Sequence, residues 1–123
     1  MAKRKKTEAS AMLAGIIIKA LQDKKGVDIV KLDLSAMPNS ITDYFIICNG
    51  SSRTQVDTLA DGVMREVKTA VGGFPAHKEG MENCEWVLLD YFDVVVHIFN
   101  PEAREFYQLE KLWSDAPREE INY

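Results

Sequence analysis

Histidine and cysteine, the residue types that most often bind metals or act as nucleophiles, number two each in this chain. His77 and His97 could ligate a metal together with Cys84 or Glu79, but the spacing of these residues matches no zinc pattern. Neither cysteine has a basic neighbour in sequence that would lower its pKa, and Cys48 lies in an apolar run typical of a buried small hydrophobe. The pattern therefore predicts no metal centre and no nucleophilic site.

The turn Gly50–Ser52 is the one segment that could hold a phosphate. It stands between a predicted strand and a predicted helix, where free N–H groups and the positive end of the helix dipole attract anions. Nucleotidyltransferases open their active sites with such a turn, but they also need two or three carboxylates on a divalent metal. Asp90 and Asp93 form the close acidic pair on strand-like sequence, and they flank a turn instead of alternating on one face. We expect a turn followed by a helix cap, with the phosphate site as the alternative.

Length and charge limit the class of protein. A chain of 123 residues fits a single domain with its own core, without metal or disulfide. The formal net charge of −4 argues against binding nucleic acid through a basic face and is compatible with a basic protein partner. No apolar run approaches the roughly 18 residues of a membrane span, and no secretory segment is evident, so we expect a cytoplasmic protein.

Hydrophobic periodicity predicts the first three elements. A helix capped by Thr7 and ended by Lys24-Lys25-Gly26 comes first, and Val27 to Leu34 reads as a strand. The run from Asp43 to Cys48 is apolar on both faces, as in a central strand. The expected inward stripe of the helix is Ala9, Met12, Leu13, Ile16, Ile17, Ala20 and Leu21.

Two further helices follow. Ser52 to Gln55 reads as a capping box in which each side chain bonds the other's backbone, and Gly72-Gly73 ends that helix. Its apolar stripe is Val56, Leu59, Ala60, Val63, Val67, Ala70 and Val71. The strand–helix–strand run from residue 43 to about 77 predicts a right-handed parallel crossover. Asn100-Pro101 should begin a last helix reaching about Trp113, with Phe106, Leu109 and Trp113 inward.

Residues 86 to 99 read as two β-branched strands joined by a tight polar-aromatic turn, which predicts a hairpin. Alternation puts Trp86, Leu88 and Asp90 on one face and Val87, Leu89 and Tyr91 on the other. Trp86 and Tyr91 can then share a surface only if the strand twists strongly or the turn swings Tyr91 around. The pattern leaves open whether Trp86 is an interface anchor or a core residue. Lys78 to Glu82 reads as a polar loop that could form the rim of an interface.

The sequence resembles the ribosomal silencing factor family, also called Iojap-like, in order from about residue 8 to residue 116. The blocks that carry the resemblance are Asp43-Tyr44-Phe45-Ile46-Ile47, Gly50-x-Ser52, Gln55-Val56, Ala60-Asp61, Glu79-Gly80, Trp86-x-Leu88-Leu89-Asp90-Tyr91, Asp93-Val94-Val95-Val96-His97-Ile98-Phe99 and Phe106-Tyr107-x-Leu109-Glu110-x-Leu112-Trp113. One departure is Phe92, where the family commonly has glycine.

The resemblance implies a single α/β domain over residues 1–123, with residues 1–7 and 116–123 as loose ends. Its mixed sheet of about five strands would be flanked by helices, nucleotidyltransferase-like but without the catalytic carboxylates. The implied function is binding to the large ribosomal subunit on ribosomal protein uL-fourteen, which blocks the small subunit and represses translation when nutrients are scarce. Trp86 and Tyr91 would be the aromatic anchors, with Asp90, Lys78 and Glu79 as their polar neighbours. No cofactor and no catalysis are implied.

Three points stay open at this level. The basic stretch Lys3-Arg4-Lys5-Lys6 is either a solvated chain end or a contact with ribosomal RNA. An unpaired hairpin strand at the sheet edge would allow a homodimer of the free protein. A nucleotidyltransferase-like enzyme, or a regulator that binds a nucleotide at the Gly50–Ser52 turn without turnover, remains the alternative function.

Overall fold

A six-stranded mixed sheet with helices on both faces organises the structure, a computed structural model that describes residues 8–121. The elements in chain order are α1 (Glu8–Asp23), β1 (Val27–Asp33), β2 (Tyr44–Asn49), α2 (Arg53–Val71), β3 (His77–Glu79), β4 (Trp86–Asp90), β5 (Val94–Phe99), α3 (Pro101–Tyr107), α4 (Leu109–Leu112) and β6 (Arg118–Glu120). The predicted fold class is confirmed, with one strand more than expected. Thr7 and the basic stretch at residues 3–6 lie outside the described residues.

The strand order is β3-β4-β5-β2-β1-β6, and β2 with β5 is the parallel pair. The predicted crossover from residue 43 to 77 is wrong in its partner, because β3 pairs with β4 and not with β2. In the sheet, β4 and β5 lie between β3 and β2. The chain therefore passes from β2 through α2, β3 and β4 before β5 pairs in parallel with β2. The buried central strand and the hairpin itself are confirmed.

The sheet separates two apolar cores. α1 and α2 cover the larger one, where residues such as Ile17, Leu59 and Ile98 are fully buried. The predicted inward stripe of α1 is confirmed for Ile17, Ala20 and Leu21, which are buried. It is wrong for Ala9 and Met12, which are exposed, and it missed the buried Ala14. α3 and α4 partly cover the smaller core on the opposite face.

The turn after α1 uses its residues differently from the prediction. Lys25 has the left-handed backbone conformation (φ +65°) that the sequence assigned to Gly26. Gly26 fits closely at the end of this turn, because a Cβ there would crowd Cys48 Sγ and the carbonyl oxygen of Leu21, each at 3.1 Å. This close approach lets the chain pass from α1 into β1 against the core.

The C-terminal region departs most from the sequence analysis. The predicted last helix is interrupted at Gln108 (φ +46°), whose N–H caps the first segment by donating to the Arg104 carbonyl. The break turns Leu109 into the smaller core and leaves Phe106 80% exposed, so its predicted inward orientation is wrong. Residues 118–120, expected in a loose end, form β6 and pair with β1.

Candidate functional site

The hairpin turn fixes the geometry of the predicted recognition region. The Tyr91 N–H donates to the Val94 carbonyl at 2.9 Å, and the Asp93 N–H to the Tyr91 carbonyl at 2.9 Å. Phe92 lies between them with φ +69°, the left-handed conformation that glycine adopts most easily. An Asp90 carboxylate oxygen accepts the Phe92 N–H at 2.8 Å and holds this turn. The turn therefore has a backbone conformation that favours glycine, although the residue at that position is phenylalanine.

Trp86 and Tyr91 lie on opposite faces of the sheet, as simple alternation predicts. Trp86, Leu88 and Asp90 are half-buried on the face that α3 and α4 cover only in part. Tyr91 packs into the larger core on the other face, 9% exposed, and burial raises the pKa of its phenol to about 12. Its hydroxyl has no hydrogen-bond partner among residues 8–121. The predicted roles of both rings as interface anchors stay predictions.

Aromatic rings hold Trp86 rigidly in place. Its ring stacks on Phe99 at 4.9 Å between centroids and contacts Tyr107 of α3 at 4.8 Å. The indole N–H donates to Nδ1 of His97 at 3.0 Å. The ring is therefore preorganised while part of it remains accessible, as interface hot spots tend to be. Trp86 thus packs against the smaller core with part of its ring exposed, and its role as an interface anchor stays a prediction.

His97 is a buried hydrogen-bond acceptor. Nδ1 accepts the Trp86 N–H, so the ring proton lies on Nε2, which has no hydrogen-bond partner among the described residues. Phe45 packs edge-on against the imidazole at 4.5 Å. Burial lowers the pKa of His97 to about 3, so the ring is neutral at physiological pH.

The segment before the hairpin is partly a strand, which corrects the prediction of a polar loop from Lys78. In the antiparallel register, Glu79 lies opposite Leu88 and His77 opposite Asp90. Residues directly opposite in such a pair share a face, so Glu79 and His77 extend the surface of Trp86. Their side chains contact each other at 2.5 Å between Nε2 and Oε2.

Lys78 lies opposite Leu89 and therefore projects to the other side of the sheet, as Tyr91 does. We call the surface formed by His77, Glu79, Trp86, Leu88 and Asp90 the hairpin face. Of the five predicted partner-binding residues, the structure brings together Trp86, Asp90 and Glu79 on it. Lys78 and Tyr91 lie on the reverse side, and their predicted roles remain untested.

The sequence analysis placed Leu88 on the face of Trp86 without giving it a role, and it missed His77 and the ring of Tyr107 as parts of this surface. The approach of Tyr107 from α3 is a long-range contact with no local signal. The hairpin face combines an aromatic and aliphatic centre with two carboxylates at its border, and an apolar centre with a polar rim is typical of protein interfaces.

The Gly50–Ser52 turn has a structural role. Ser52 Oγ accepts the Gln55 N–H at 3.1 Å, which confirms one half of the predicted capping box. The other half is wrong, because the Gln55 amide donates to the Lys24 carbonyl at 2.6 Å instead of reaching back. A Cβ on Gly50 would lie 2.8 Å from the Val56 backbone nitrogen, so glycine is needed for close packing of this turn on α2.

The other candidate groups do not converge. Within residues 8–121, no three His, Cys, Asp or Glu side chains are arranged to hold a metal ion. Cys48 is fully buried, and burial raises the pKa of its thiol to about 12. The described helices include none that is long and apolar enough to cross a bilayer.

Comparison with known proteins adds independent information. The model of the family described as "Ribosomal silencing factor during starvation" matches residues 6–123. The chain is 41% identical over 107 residues to ribosomal silencing factor RsfS of Bacillus subtilis, covering 85% of this chain and 86% of that protein. A crystal structure of a Chromobacterium violaceum protein superposes with a TM-score of 0.80 at 39% identity, covering 85% of each chain. A mouse protein named mitochondrial assembly of ribosomal large subunit protein 1 is 35% identical over 75 residues, 59% of this chain and 33% of that protein.

Proposed function

The chain belongs to the ribosomal silencing factor family, as the resemblance in its sequence predicted, and on this premise we propose that it binds the large ribosomal subunit in the cytoplasm. Its partner there is ribosomal protein uL-fourteen, and docking sterically prevents the small subunit from joining. Translation is thereby repressed under nutrient limitation, without chemistry or cofactor. The observation that carries this proposal is the hairpin face, a preorganised indole bordered by carboxylates.

The composition of the hairpin face supports a basic protein partner. Trp86 is held by three aromatic neighbours, so little entropy is lost when it is buried in an interface. Asp90 and Glu79 supply negative charge at its border, and Glu85 adjoins it in sequence. Ribosomal proteins carry much positive charge, and complementary charge mainly accelerates encounter. Association should therefore slow as salt concentration rises.

Co-sedimentation with separated ribosomal subunits tests the proposal. The wild-type protein should travel with large subunits and not with small ones, saturating at one copy per subunit. Trp86→Ala should weaken binding by about 30-fold if the indole is a hot spot worth about 2 kcal/mol. Because this variant also loses packing on Phe99, its folding must be checked by circular dichroism.

Glu79→Lys provides a variant that does not disturb the core, since its side chain is exposed. It should slow association about tenfold, as expected for reversing a charge at the border of an electrostatically steered interface. Glu66→Lys is the matched control, because it makes the same change on the exposed surface of α2. Equal binding to both subunits, or unchanged affinity of both hairpin-face variants, would refute the proposal. So would metal-dependent nucleotide consumption that disappears in Asp90→Ala and Asp93→Ala.

A further inference from the structure

A second surface of distinct chemistry lies on the reverse side of the same sheet edge. It is a groove of about 510 Å³ between the C-terminal half of α2 and the chain that enters β3. Arg65 and Lys68 of α2, Phe74 of the connecting segment and Lys78 of β3 line it. We call it the basic groove. His77, at the edge between the two surfaces, is the one residue of the hairpin face that also lines the basic groove.

Phe74 is the apolar element of the basic groove. Gly72 ends α2 in a left-handed conformation (φ +74°), and the chain then turns so that the phenyl ring is 69% exposed. Lys68 Nζ lies 5.3 Å from the centre of the ring. An exposed aromatic ring beside a cation is the arrangement that proteins use to stack a nucleobase next to its phosphate.

The charges around Phe74 are only partly neutralised by the protein. Arg65 is paired with Asp61 at 2.7 Å. Lys68 and Lys78 take part in no ion pair within the part of the chain that the structure describes. In a protein with a net charge of −4, these two free cations in one groove form a local site for an anion.

We propose that the basic groove binds a single-stranded RNA segment, with one base stacked on Phe74 and the adjoining phosphates held by Lys68 and Lys78. An acidic peptide would use the cations but not the open face of the ring, whereas RNA uses both. The inference deepens the proposed function and rests on it for the RNA being ribosomal. Because Lys78 and Glu79 project to opposite sides of β3, a basic protein and an RNA strand could flank the same edge.

Fluorescence anisotropy with a labelled ten-nucleotide uridine RNA tests this directly. Lys68→Glu combined with Lys78→Glu should weaken binding at least about tenfold, and losing two phosphate contacts should make the slope of log K against log salt shallower by about 1.4. Phe74→Ala should weaken binding about tenfold while leaving that slope unchanged, because stacking releases no counterions. Lys19→Glu combined with Lys111→Glu is the charge-matched control and should bind like the wild type.

Cross-linking separates the basic groove from the basic chain start. With 4-thiouridine in the RNA, the cross-linked peptide should contain Phe74, and cross-links confined to residues 1–7 would overturn the inference. The inference would also be overturned if the wild-type protein failed to bind the RNA at 50 mM salt, or if it bound a ten-residue glutamate peptide instead of the RNA. None of these outcomes affects co-sedimentation through the hairpin face, so failure of the RNA contact is distinguishable from failure of the proposed function.

Discussion

Replacing His97 by asparagine should remove a large part of the acid sensitivity of the fold. His97 is 3% exposed, and its Nδ1 accepts the Trp86 N–H at 3.0 Å. An asparagine Oδ1 can take the place of Nδ1 as acceptor, but an amide does not titrate. The variant therefore preserves the hydrogen bond to Trp86 while abolishing the protonation of a buried imidazole.

The magnitude follows from the pKa of His97, which burial lowers from 6.5 to about 3. Above pH 6.5 the ring is neutral in both the folded and the unfolded chain, so its contribution to stability is constant. Between pH 6.5 and about 3 only the unfolded chain binds the proton, so the free energy of unfolding falls as pH falls. Each pH unit is worth about 1.4 kcal/mol, and at pH 5 the loss amounts to about 2 kcal/mol.

Urea unfolding at pH 7 and pH 5, followed by far-ultraviolet circular dichroism, measures the effect. On going from pH 7 to pH 5, the wild type should lose about 2 kcal/mol more of its unfolding free energy than His97→Asn loses. His77→Asn, which removes the exposed imidazole and leaves His97 in place, is the matched control and should keep the part of the acid sensitivity that comes from His97. If His97→Asn and the wild type lose equal stability, the imidazole is not held neutral by burial and the reasoning is refuted.

Three further substitutions test the local geometry by urea unfolding at pH 7. Phe92→Gly should raise the free energy of unfolding by about 1 kcal/mol, because it relieves a left-handed side chain that makes little buried contact; a decrease would contradict this. Gly50→Ala should lower it by about 2 kcal/mol, since the new Cβ meets the Val56 backbone, and wild-type stability would show that the turn can yield. Glu110→Gln should cost about 2 kcal/mol, because it removes the charge from a partner that Arg104 contacts at 2.9 Å and 3.1 Å; no loss would mean that solvent replaces the pair.

Local patterns were sufficient to predict the hairpin, the central strand and the Ser52 cap, because each depends on residues within a few positions of one another. Pairing between distant segments was not predictable in this way. The insertion of β4 and β5 between β2 and β3 depends on which apolar strands bury the most surface together. β3 and β6 are three-residue, largely charged strands that form because a neighbouring strand offers free backbone groups.

The last helix shows why the site itself was only half predictable. Gln108 adopts a left-handed conformation without being glycine or asparagine, so the sequence carries no break signal. Arg104 and Glu110, on either side of the break, form a two-pronged ion pair, and Arg104 also donates to the Asp28 carbonyl at 2.7 Å. Tertiary bonds of this kind stabilise the kink. Tyr107, the last residue of α3 before the kink, contacts Trp86 at the border of the hairpin face.

The alternation along β3 has a consequence for changes in chain length. Glu79 and Lys78 present opposite charges to the two sides of the sheet only in the register that pairs Lys78 with Leu89. A one-residue deletion outside β3 that shifted its register against β4 by one position would exchange the two sides, bringing ammonium next to the indole and carboxylate next to Phe74. The ammonium and carboxylate groups would both still be present, yet each partner would meet a charge of the wrong sign. Spacing is thus as much a determinant of recognition at this edge as side-chain identity.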